Sequence, residues 1–74
     1  MNNDTDIEKR IEFVSWCIEQ YSAWKNVSAV QVANDFSKYS VLDFLSKHYD
    51  VLHTQGKSYI LDTIEDFIFS GVKK

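Results

Sequence analysis

Residues 7–24 read IEKRIEFVSWCIEQYSAW, and this stretch decides the fold class. At about 100° per residue around a helix axis, Ile7, Ile11, Val14, Ile18 and Tyr21 fall on one stripe. Phe13, Cys17 and Trp24 widen it sideways, while Glu8, Glu12, Ser15, Glu19 and Ser22 take the opposite side. Thr5 followed three residues later by Glu8 matches a capping box. A helix is therefore expected from about residue 6 to 25.

Three shorter patterns follow. Lys25-Asn26-Val27 interrupts the first helix, and Ser28 with Gln31 opens a second over about 29–38, carrying Ala29, Val32, Ala33, Phe36 and Tyr39. Ser40 with Asp43 resembles another cap. It leads to a helix over about 41–54 with Val41, Leu42, Phe44, Leu45, His48, Tyr49, Val51 and Leu52 on one side. Gly56 suits the left-handed position past that helix end. A rival reading folds residues 51–61 into a hairpin around Gly56, as in a winged helix. The last segment, about 58–70, aligns Ile60, Leu61, Ile64, Phe67 and Ile68, with a cap signal in Asp62 and Glu65 and a stop near Ser70-Gly71. Four helices on short connections imply an all-α bundle of antiparallel neighbours forming one domain over residues 1–74.

Composition narrows the function classes. The chain has 74 residues, net charge −3, 45% hydrophobic and 15% aromatic residues, two glycines and no proline. That argues for a small globular domain rather than a disordered or fibrous chain. One cysteine allows no internal disulfide, and no run of about 18 apolar residues spans a membrane. The opening MNNDTDIEKR is polar and acidic, unlike a signal peptide, so a cytoplasmic location is expected.

No residue set points to catalysis, a cofactor or a metal. Cys17 sits mid-helix beside the apolar stripe, where a thiol behaves as a small hydrophobe. His48 and His53, five residues apart, project roughly 140° from each other and do not chelate one ion from a helix face. His48 lies within the apolar arc, so a partly buried ring is expected, while His53 lies at its rim. Helices two and three share a short turn, Lys38-Tyr39-Ser40, compatible with a helix-turn-helix. The outward Asp43, Lys47 and Asp50 lack the basic cluster that nucleic acid demands, so a DNA-binding regulator is the alternative reading.

Two aromatics fall off the stripes. Trp16 lies about 180° from Ile7, and Phe69 lies opposite Ile60 and Ile64. Either the C-terminal helix covers Trp16, or both rings meet a protein partner, a second copy of the chain included.

The segment HYDVLHTQG (48–56), preceded by Tyr39-x-Val41-Leu42-Asp43-Phe44 and followed by Tyr59-Ile60-x-Asp62-x-Ile64, resembles a family of short bacterial proteins of unknown function. Glu12-Phe13 and Cys17-Ile18-Glu19 resemble the start of that pattern, so the likeness runs from Ile11 to Ile68. Its most specific part is Leu52-His53-Thr54-Gln55. The resemblance implies no catalytic role. It does imply a partner, since such proteins are often encoded near an ADP-ribosyltransferase-like protein, which suggests an antitoxin-like or accessory role. Tyr49 and Leu52 are explained by packing, whereas Asp50, His53, Thr54 and Gln55 are not. Those four form a candidate binding site, unless they merely tie down the following loop.

Overall fold

The computed structural model describes the backbone over residues 3–73 and the side chains over residues 6–70. Helix α1 spans Asn3–Lys25, α2 Ala29–Lys38, α3 Val41–Lys47, α4 Tyr49–Leu52 and α5 Lys57–Lys73. The all-α expectation holds: no strand forms among the described residues, and residues 51–61 finish α4, turn and enter α5 instead of making a hairpin. In a molecule measuring 40 × 25 × 23 Å, helix α1 packs against α2, α3 and α5.

The connections are set by a few backbone choices. After Lys25, Asn26 adopts φ 58°, and Val27 N–H donates back to the Ser22 carbonyl at 3.1 Å. This is a Schellman ending, with Asn where glycine is usual because its short amide side chain tolerates left-handed backbone. Ser28 then caps α2 as expected, its Oγ accepting from Gln31 N–H at 3.1 Å. The reciprocal half of the box is not made, because Gln31 Nε2 donates to Asp35 Oδ1 instead.

Several expected ends are corrected. Ser40 makes no side-chain cap; it takes left-handed backbone, φ 63°, to turn the chain between α2 and α3. The expected 41–54 helix is two short helices, broken at His48, whose φ −105° and ψ 18° leave the helical basin. His48 itself is exposed, not partly buried, with its ring against Phe44. Gly56 has no left-handed backbone and ends nothing: its carbonyl accepts Ile60 N–H at 3.1 Å at the start of α5. Helix α5 begins at Lys57, which places Asp62 and Glu65 inside it, and it continues past Gly71. Helix α1 reaches back to Asn3, so Thr5 lies within it, although the Thr5 side chain lies outside the described residues.

Cys17, Val32, Phe36, Val41, Leu45, Leu52, Ile60, Leu61 and Ile64 form one buried cluster. The direction in which α1 faces this cluster corrects the helical wheel. Cys17 is fully buried, and Phe13, Trp16 and Tyr21 pack partly against the core, whereas Ile7 and Ile11 are 52% and 58% exposed. The buried face of α1 therefore centres near Cys17, about 80° away from Ile7. Helix α1 has apolar residues around more than half its circumference, and the aromatic side was chosen over the aliphatic one. Phe13, Tyr21 and Trp16 each bring more apolar area than an isoleucine, so this orientation buries more.

Candidate functional site

Arg10 organises one corner of the molecule. On the wheel it falls between Cys17 and Tyr21, inside the buried arc, where a guanidinium needs partners. It finds them across three elements. Nε donates to Asp6 Oδ2 at 3.1 Å within α1. Nη1 donates to the Ser46 carbonyl near the C-terminal end of α3, where the helix dipole is negative. Nη2 lies 3.9 Å from Asp50 Oδ1, and the guanidinium stands 5.3 Å from the Tyr49 ring centroid.

Tyr49 links that corner to the residues singled out from sequence. Its ring stacks on His53 at 4.4 Å and 11° between planes, and meets Phe13 edge-on at 5.5 Å. His53 Nδ1 lies 2.7 Å from the Tyr49 carbonyl. A carbonyl only accepts, so Nδ1 carries the proton and Nε2 is left facing outward. Thr54 Oγ1 donates to the Val51 carbonyl at 2.8 Å. The Thr54 and His53 side chains thus serve carbonyls within α4 rather than the loop towards α5, which is the local backbone bonding such residues often provide. Asp50 is exposed beyond its long-range pairing with Arg10, and Gln55 is exposed. Asp50, His53, Thr54 and Gln55 lie together at the end of α4, as sequence neighbours must.

The two off-stripe aromatics part company. Trp16 is half-buried, stacked on Phe13 at 6.3 Å and packed against the core, so its expected outward position is corrected. Phe69 is 53% exposed on α5, as its register implied. No ring contact joins the two among the described residues.

A second polar cluster joins α1 to α5. Tyr21 Oη donates to Glu65 Oε1 at 2.7 Å, and Lys25 Nζ donates to Glu65 Oε2 at 2.8 Å. Burial, then the contact with Glu65, push the Tyr21 phenol well above its ordinary value. Partial burial works against ionised Glu65, but hydrogen bonds from Lys25 and Tyr21 together with the Lys25 charge bring its carboxyl below the ordinary range. Beside this cluster, an open groove of about 420 Å³ separates the second half of α1 from the start of α5, between Gln20, Ala23 and Trp24 on one wall and Lys57, Ser58, Leu61 and Asp62 on the other.

Burial pushes the Cys17 thiol up to about 12, which keeps it protonated and un-nucleophilic at neutral pH. Among the described residues, no three His, Cys, Asp or Glu side chains gather closely enough to hold a metal ion. No described helix is long and apolar enough to cross a membrane. What stands out instead is surface: Ile7 and Ile11 line a shallow apolar groove of about 200 Å³ together with Arg10, Val14 and Ser46.

Residues 12–69 match a family model described as "Protein of unknown function (DUF3791)". The chain belongs to this family. The match differs by one residue at each end from the resemblance read over Ile11 to Ile68, and it takes in Trp16, the α4 end and Phe69. Ile7, Arg10 and Ile11 precede the part shared with DUF3791. No curated protein and no solved structure matches the chain.

The sequence pattern missed the role of Arg10 and the convergence of Tyr21 and Lys25 on Glu65. The signal for Arg10 was present: a cation inside an apolar arc requires a partner from another element. Nothing in sequence spacing joins Glu65 to Tyr21, because the pairing depends on how α5 crosses α1.

Proposed function

We propose that this DUF3791 chain is a small helical protein-interaction module that acts by binding another protein. The observation that carries the reading is the uncovered aliphatic edge of α1, where Ile7 and Ile11 stay half exposed beside an apolar groove. A fold this small has few apolar side chains to spare, and a contiguous uncovered pair of isoleucines suits a contact surface. The likeness of the HYDVLHTQG segment to short bacterial proteins adds a partner class: a toxin-like, ADP-ribosyltransferase-like enzyme encoded nearby, which the chain would neutralise or assist from the cytoplasm. A homodimer is a further form the contact takes in this reading.

Purification of the chain from its native source, with mass identification of what accompanies it, tests the reading. The expected result is a stoichiometric protein partner that survives gel filtration. A chain that elutes alone and binds no protein contradicts it.

The second reading is a helix-turn-helix regulator. It is favoured by α2 and α3 meeting at a tight turn through Tyr39 and the left-handed Ser40. Against it stand a seven-residue α3 and an outward face that mixes Asp43 with Lys47. Binding to duplex DNA that weakens steeply with salt would favour this reading instead.

A further inference from the structure

Ile7, Ile11, Val14 and Ile18 recur at intervals of four, three and four along α1, the spacing of a coiled-coil seam. The fold consumes only part of that seam. Val14 and Ile18 are half-buried against the core, while Ile7 and Ile11 remain 52% and 58% exposed. The seam extends for roughly 16 Å, or three helical turns, which another helix of similar length would cover.

Charge along the seam distinguishes the candidate occupants. Of the three cations of α1, Lys9 lies about 160° round the helix from Ile7, and the other two are engaged internally. Arg10 is held by Asp6, Ser46 and Asp50, and Lys25 is held by Glu65. The solvent flank next to the seam is acidic: Glu8, Glu12 and Glu19 fall within about 40° of one another on the wheel, and the exposed Lys9 lies about 60° beyond them, on the side away from the seam. All three glutamates are exposed, and no ion pair engages them among the described residues. A second copy packed antiparallel about a two-fold axis would set this acidic row against its own image, since each flank of an antiparallel pair faces the same flank of its partner. In a parallel pair the acidic flank would meet the opposite flank of the partner, where the Arg10 guanidinium is already engaged.

We propose that the aliphatic edge of α1 docks a basic amphipathic helix from a partner protein, its apolar stripe on Ile7 and Ile11 and its Lys or Arg flank on Glu8, Glu12 and Glu19. This rests on the interaction-module reading and names its surface and partner chemistry. The binding mode is a helix laid along a hydrophobic groove, with complementary charge choosing the partner and speeding its arrival.

The test titrates the full chain against a labelled three-heptad peptide with Leu at the seam and Lys on both flanks, followed by fluorescence anisotropy. Two control peptides accompany it: a scramble of the same composition, and a Leu seam flanked by Glu. The Lys-flanked peptide is expected to bind at least about tenfold more tightly than either control. Ile11→Lys, and separately Glu8→Gln with Glu12→Gln and Glu19→Gln, are expected to weaken it about tenfold with unchanged circular dichroism, since every altered side chain is exposed. Equal binding of peptide and scramble overturns the proposal. So does undiminished binding by Ile11→Lys, or a sedimenting dimer that Ile11→Lys dissociates. If a native partner is captured equally by wild type and Ile11→Lys, this inference fails while the interaction reading stands. If wild type captures no partner, that reading fails as well.

Discussion

Arg10 shows how much of the tertiary structure can hang on one side chain. It bonds a carbonyl of α3, faces a carboxylate at α4 and covers the Tyr49 ring, all from a site that is mostly shielded. Arg10→Ala is expected to cost about 1–2 kcal/mol in urea denaturation, because it strands the Ser46 carbonyl and removes packing from Tyr49. Arg10→Lys is expected to recover only part of this loss, since one ammonium cannot replace a planar fork directed at several partners. Glu65 makes a pH-dependent contribution. Its folded-state carboxyl lies below the ordinary 4.5, so the stability it supplies is complete above that value and drains away as pH falls through the lowered one. Glu65→Gln should therefore flatten the acid side of a stability profile. The opposite sign holds for Tyr21, whose phenol is raised above 10.0: its contribution is complete below pH 10.0 and is lost on further alkalinisation. At this scale the sequence was legible for Phe69, and for Cys17 as a buried hydrophobe. It misled for Trp16, because a wheel centred on isoleucines ignores the larger area that Phe13, Trp16 and Tyr21 bury when α1 turns the other way.

Helices were the most legible level, for reasons that differ from one to the next. The expected and observed bounds of α2 coincide at 29–38, since Ser28 supplies a working cap and a non-helical stretch precedes it. The break at His48 left no trace in the pattern, because the chain re-enters helix after one residue with Leu45 and Leu52 buried on either side of it and Phe44 packed against the core. Glycine misled in the opposite direction. The left-handed turns are made by Asn26 and Ser40, while Gly56 starts α5. Ser40→Gly is accordingly expected to stabilise the chain by about 0.5–1 kcal/mol by relieving left-handed strain. Asn26→Gly should change little, as Asn already tolerates that backbone. Gly56 offers a second gain. A Cβ there meets nothing within 4 Å and the backbone is not left-handed, so Gly56→Ser can cap α5 and stiffen the unfolded chain, with an expected gain of about 0.5 kcal/mol. Thermal melts of these three variants would check both statements.

For the whole molecule, the all-α architecture followed from periodicity, whereas the docking surface did not. A wheel shows that α1 is apolar on several sides, but only packing against α2, α3 and α5 reveals which side remains uncovered. The edge at Ile7 and Ile11 is that remainder, and the acidic row beside it gives the remainder a chemical preference. The α4 end carries the most distinctive sequence run, and its His53 and Thr54 side chains are bonded to their own helix. The most direct measurement is an amide chemical-shift map of the full, isotope-labelled chain titrated with the protein that co-purifies with it. Shifts concentrated on residues 6–15 of α1 and on Ser46 are the expected result. Shifts confined to residues 50–55 or to the surroundings of Phe69, with α1 unmoved, would contradict it.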